Sequence, residues 1–119
     1  MRAKFRGVFL TSQSPSATAQ FYQQVTMLPL ERIEVETDYA YWRMDSNGVQ
    51  FAIHDAKRFA DYAYPAVSNS NLTHLYFKID DQAAFLKHLE ALGLRHYAID
   101  DVVVTVVDPD GRKVLFGTA

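Results

Sequence analysis

The sequence predicts an α+β domain built from two tandem βαβββ modules. Three observations point there. The order strand, helix, three strands occurs twice along the 119 residues. The helix landmarks Phe21 and Phe85 stand 64 positions apart, and the turn residues Asn47 and Asp110 stand 63 apart, so half the chain keeps a near-constant offset. Each half closes on a hairpin whose turn, Asn47-Gly48 or Asp110-Gly111, tolerates positive φ.

Phe5 to Leu10 is an apolar run of strand length. Ser14 is placed to cap a helix and Pro15 to open it, where its missing N–H costs nothing. Ala17, Phe21, Val25 and Leu28 follow as its apolar stripe, and Pro29 ends it. Ile33 and Val35 alternate with charges through Arg32 to Glu36, where Glu31, Glu34 and Glu36 form the wet face of an edge strand. Tyr39 to Met44 is aromatic and β-prone, and Val49 to His54 returns after the Asn-Gly turn.

Residues 56–71 form a linker, with a helical turn expected at Ala56–Tyr62 and a solvated Lys57-Arg58 edge. The order then recurs. Thr73 to Ile79 is a strand. Asp80 or Asp81 caps a helix carrying Phe85, Leu89 and Leu92, closed by Gly93. Arg95–Ile99, Val102–Val107 and Lys113–Thr118 are the remaining strands, the last two joined by Asp108-Pro109-Asp110-Gly111. One domain over 1–119 results, with module 1 at about 1–55 and module 2 at about 72–119.

Composition narrows the function. No cysteine is present, which excludes disulfides, cysteine-ligated zinc, iron–sulfur clusters and thiol catalysis. A net charge of −2 leaves no basic footprint for nucleic acid. No apolar run reaches membrane-spanning length and no leader pattern follows the basic start, so neither a membrane nor export is expected and a cytoplasmic location is the default. No serine sits on a glycine elbow. Asp80-Asp81 and Asp100-Asp101 lie at element ends, where caps and turns account for them.

The helix reading Phe21-Tyr22 then Leu28-Pro29-Leu30, the run His74-Leu75-Tyr76-Phe77-Lys78-Ile79-Asp80-Asp81 and the Asp108-Pro109-Asp110-Gly111 turn resemble the vicinal oxygen chelate superfamily, that is, the glyoxalase, bleomycin-resistance and extradiol-dioxygenase fold. The resemblance spans the whole chain. It implies a curved, U-shaped mixed sheet with helices on the convex face, and it implies a homodimer. It also implies four metal-ligand positions in the enzymatic members, which fall here on Gly7, Ala52, His74 and Leu115. A single imidazole cannot hold a divalent metal usefully, so no metal and no cofactor are expected. A site rebuilt from His54 and His74 is the minority alternative, and His88 and His96 are read as surface or boundary residues.

Period-two alternation then sorts the strands. If His74 faces the concave side, so do Tyr76 and Lys78, while Leu75, Phe77 and Ile79 pack under the helices. Gln50, Ala52 and His54 face in; Phe51 and Ile53 pack. On the last strand Lys113, Leu115 and Gly117 face in. The candidate ligand-binding residues are Phe9, Trp42, Gln50, His54, His74 and Tyr76; which of Tyr39, Tyr41 and Trp42 point inward stays open, and no catalytic residue is assigned. This mixture suits a planar or aromatic organic molecule held by stacking and a few polar contacts. The expected function is metal-free small-molecule binding of the bleomycin-resistance type. The alternatives are a metal-dependent lyase, isomerase or dioxygenase of the glyoxalase type, and a vestigial interaction module.

Overall fold

The computed structural model describes residues 2, 4–36, 38–58 and 74–119. The linker expected at 56–71 falls mostly outside them; residues 56–58 are helical, and Thr73 is likewise outside. Module 1 comprises β1 (Gly7–Ser12), α1 (Pro15–Thr26), β2 (Glu31–Glu36), β3 (Tyr39–Ser46) and β4 (Val49–Asp55). Module 2 comprises β5 (Leu75–Lys78), α2 (Gln82–Ala91), β6 (Ala98–Ile99), β7 (Val103–Val107) and β8 (Lys113–Gly117). The sheets run β1-β4-β3-β2 and β5-β8-β7-β6. In each, the first strand lies parallel to the last and the other pairs are antiparallel.

The repeat is visible in the registers. Phe9 partners Ala52 in the first sheet as Tyr76 partners Leu115 in the second. Phe51, Ile53, Phe77, Val114 and Phe116 turn toward the helices and join one core with Tyr22, Val25, Phe85 and Leu89. Tyr22 of α1 meets both Phe51 and Phe77 edge-on or tilted, and Phe85 of α2 stacks on Phe116 at 4.6 Å. His88 of α2 also donates from Nε2 to the Gln24 carbonyl of α1 at 2.6 Å. The helices thus share one side of both sheets.

The stripe of α1 differs from expectation. Thr18, Ala19, Phe21, Tyr22 and Val25 are buried, while Ala17 is exposed. The cause is polar: Thr18 and Tyr22 are drawn inward by carboxylates of module 2. The Tyr22 hydroxyl donates to Asp108 Oδ2 at 2.7 Å, and the Thr18 hydroxyl donates to Asp110 Oδ2 at 2.7 Å. Arg112 Nη1 donates to Asp108 Oδ2 at 2.5 Å, and its Nη2 reaches the Thr11 carbonyl of β1 at 2.8 Å. Burial resists the charge on Asp110, but Thr18, Ser12, the Gln13 N–H and Arg112 together hold its carboxyl below the usual value. The Asp-Pro-Asp-Gly turn is therefore also the clasp between modules.

Helix ends depart from expectation in two places. Ser14 stands at the cap of α1 without a side-chain bond, whereas Asp81 caps α2 by accepting from the Ala84 N–H at 3.2 Å. Helix α1 stops at Thr26 because Met27 turns left-handed at φ 59°, ahead of Pro29. Met27 is 77% exposed, so its side chain gives little back for that strain. Met27→Gly should raise stability by about 1 kcal/mol, the cost of a left-handed residue with a Cβ. A urea midpoint that falls in the variant would show that Met27 earns its place by contacts instead.

Candidate functional site

The faces of the sheets turned away from the helices hold the candidate residues. On module 1, β1 supplies Phe9, β3 supplies Tyr39 and Tyr41, and β4 supplies His54. Tyr41 stacks on the His54 ring at 4.6 Å with 11° between planes. Tyr39 lies parallel to the same ring at 6.1 Å, and Phe9 tilts against it at 5.3 Å. The Tyr39 hydroxyl and His54 Nδ1 share a short hydrogen bond. Arg58 sits over the Tyr39 ring at 5.4 Å and pairs with Asp38. Four rings from three strands therefore form one aromatic group, with Phe9 left 44% exposed.

The electrostatics keep this group uncharged. Burial lowers the His54 pKa below its ordinary value. Burial, then the Asp55 carboxylate, raises that of Tyr39. At neutral pH both partners of the hydrogen bond are neutral, and a neutral stack is a good surface for a flat apolar ring.

Gln50 and His54 lie on this face and are buried, at 6% and 9% exposure. Trp42 does not join them. It pairs with Ile53 across β3 and β4 and packs against the core, on the opposite face. The signal was available. A two-residue Asn47-Gly48 turn pairs Ser46 with Val49, and counting back puts Trp42 on Ile53 and Arg43 on Ala52. Trp42 had to share the fate of Ile53, leaving Tyr41 and Tyr39 to face the other way. Arg43, which the sequence reading passed over, lies on the same face as Tyr41.

Module 2 presents a different surface. Tyr76 lies flat over Gly117: a Cβ built on that glycine would come within 2.1 Å of the Tyr76 hydroxyl. The hydroxyl donates to the Ala119 carbonyl at 3.0 Å. The hydroxyl end of Tyr76 thus covers Gly117, while the residue stays 47% exposed. His74 is exposed just ahead of β5, and Lys78 is exposed at the end of it.

The four positions to which the resemblance assigns metal ligands, Gly7, Ala52, His74 and Leu115, hold a poor donor set. Ala52 is fully buried without a ligand atom, and Leu115 sits between Tyr76 and Thr105. Gly7 cannot accept a larger residue, because a Cβ there would stand 2.1 Å from the Gln50 carbonyl oxygen. His74 alone offers nitrogen. Among the described residues no group of three or more His, Cys, Asp or Glu could hold a metal ion. These residues do not fit a divalent metal.

Paired four-stranded modules with helices on one side and a ligand-sized face on the other define the vicinal oxygen chelate class. Within it, a family model described as "Glyoxalase-like domain" matches residues 7–116, and the chain belongs to that family. Solved structures agree on the fold. A lactoylglutathione lyase from Agrobacterium tumefaciens is similar with a TM-score of 0.69 at 18% identity, over 98% of this chain and 94% of that one. An antibiotic binding protein, TnmS3 from Streptomyces sp. CB03234, gives 0.70 at 11% identity, over 98% and 95%. A glyoxalase family protein from Enterococcus faecalis gives 0.66 at 19%, over 96% of each chain. No curated protein matches by sequence. Among the described residues no helix is long and apolar enough to cross a membrane.

Proposed function

We propose that this protein binds a planar aromatic small molecule, without a metal, on the helix-free face of module 1. The carrying observation is the neutral stack of Phe9, Tyr39, Tyr41 and His54 on three neighbouring strands. The antibiotic binding protein of similar fold supports a sequestering role, and the donor set at Gly7, Ala52, His74 and Leu115 counts against a metal-dependent lyase or dioxygenase. In this reading His74 and Tyr76, on the second sheet, stand outside the stack and contribute little to affinity.

A thermal-shift screen of aromatic metabolites and antibiotics should yield ligands that raise the melting temperature. A ligand at about 100 times its dissociation constant adds about 2.7 kcal/mol. The same hits should bind unchanged after chelator treatment, and elemental analysis should find no stoichiometric divalent metal. One equivalent of Zn, Ni, Fe or Mn, lost in His74→Ala, would sink the metal-free reading.

We further propose a cytoplasmic homodimer. Large apolar side chains on both modules stay in solvent in the single chain, among them Phe5, Val35, Tyr97 and Ile99. Light scattering at micromolar concentration should give twice the chain mass of 13.6 kDa; a monomer there would refute it.

A further inference from the structure

We propose that Gln50 makes this site selective for planar aromatic molecules with an amide edge, a carboxamide or a lactam, about 7 Å from the ring they lay on Phe9, a distance equal to two residues of strand. The inference rests on the aromatic site proposed above and names the polar group its ligand brings. Phe9 pairs with Ala52, and Gln50 stands one side-chain repeat before Ala52 on the same face of β4. Phe9 keeps 44% of its surface exposed, so a ring can cover it, whereas Gln50 keeps only 6%.

The Gln50 amide is enclosed and yet unsatisfied by its neighbours. Gly7, its partner on β1, has no side chain to offer. Asp45, its partner on β3, is engaged by Arg6, whose Nη1 donates to Asp45 Oδ1 at 3.2 Å. Among the described residues, the one side-chain nitrogen or oxygen that is both sealed from solvent and without a hydrogen bond belongs to Arg43. Gln50 makes no side-chain hydrogen bond among those residues either, so its amide oxygen and nitrogen both stay open to solvent.

An amide asks for two things at once: its oxygen needs a donor and its nitrogen needs an acceptor. A second amide answers both in one plane, with an N–H donating to an oxygen in each direction. A ketone supplies only the acceptor. A carboxylate supplies acceptors but no donor for Oε1, and it sets another negative charge near Asp45. Water on such a group is displaced with gain only by a ligand that reproduces its hydrogen bonds.

The test titrates 2-naphthamide, 2-acetylnaphthalene and 2-ethylnaphthalene calorimetrically into wild type, Gln50→Met and Gln50→Glu. In wild type the amide should bind about fivefold more tightly than the ketone, the scale of one added hydrogen bond between neutral groups. Gln50→Met keeps the length of the side chain without its amide. It should weaken 2-naphthamide about tenfold and change 2-ethylnaphthalene less than about threefold. In Gln50→Glu the ketone should lose more than the amide, whose N–H still finds a carboxylate to donate to. If Gln50→Met fails to fold by its thermal melt, the wild-type series and Gln50→Glu decide the matter. An amide that binds no more tightly than the ketone in wild type overturns the inference while leaving the aromatic site standing. So does a 2-naphthamide affinity that survives Gln50→Met, or a loss there shared equally by all three compounds, which would make Gln50 a structural residue only. Failure of all three naphthalenes to bind overturns the aromatic-site reading, and this inference with it.

Discussion

Asp108→Ala is expected to remove about 3–5 kcal/mol of stability, the range for breaking one partner out of a buried ion pair. The Asp108 side chain has no exposed surface and that of Arg112 only 13%, so solvent screening gives little relief. The deletion strands four donors at once. The Tyr22 hydroxyl and the Arg112 guanidinium both point at Oδ2, and the backbone N–H groups of Asp110 and Arg112 both donate to Oδ1 at 2.9 Å. Burial, and then the Asp108 charge, pushes the Tyr22 pKa far above its usual value, so its proton stays on to donate. A loss of this size is a large share of the roughly 5–15 kcal/mol that holds an ordinary domain together. Asp108→Asn keeps one acceptor oxygen, which serves the two N–H groups of the turn or the Tyr22 and Arg112 donors but not both pairs, and should cost less than Asp108→Ala. Urea unfolding at pH 7 measures both, and a loss below about 1 kcal/mol for Asp108→Ala would mean the clasp is dispensable.

This clasp also shows where reading the sequence stops. The Asp-Pro-Asp-Gly turn was legible because proline fixes φ and Gly111 takes φ 82°. Its second role was not, since Asp108 finds Tyr22 across 86 residues and nothing local marks the pair. The same contrast divides the site. Leu75, Phe77 and Ile79 fell on the core side because alternation on β5 is clean. On β3 every residue from Tyr39 to Met44 is half-buried, so no burial rhythm separates the faces, and adjacent Tyr41 and Trp42 must point oppositely. Only the hairpin register decides between them, and it sends Trp42 to the core. The irregularity between Glu34 and Glu36, where β2 slips against β3, further blurs the pattern at that edge.

Tyr41→Ala is expected to weaken binding of an aromatic ligand about tenfold to a hundredfold, whereas Tyr76→Ala should change it by less than about threefold. The first figure corresponds to roughly 1–3 kcal/mol, the scale of one buried ring contact, at about 1.4 kcal/mol per tenfold. Tyr41 stacks directly on His54, the ring that touches the other three, while Tyr76 lies over Gly117 and bonds the Ala119 carbonyl on the other sheet. Acid should act through His54. Its folded pKa is depressed, so its contribution to stability is present above the unfolded value near 6.5 and is lost as pH falls through the lowered folded value. Protonation also places a charge against the face that receives an apolar ring, so affinity should fall over that acid range and remain flat above pH 7. In His54→Phe, which keeps a ring without a proton to gain, this acid-linked loss of affinity should disappear. Titrations of 2-acetylnaphthalene at stepped pH on wild type, His54→Phe, Tyr41→Ala and Tyr76→Ala read all of this together. Affinity that ignores Tyr41→Ala but collapses in Tyr76→Ala would move the site to module 2. A wild-type profile as flat as that of His54→Phe would remove His54 from it.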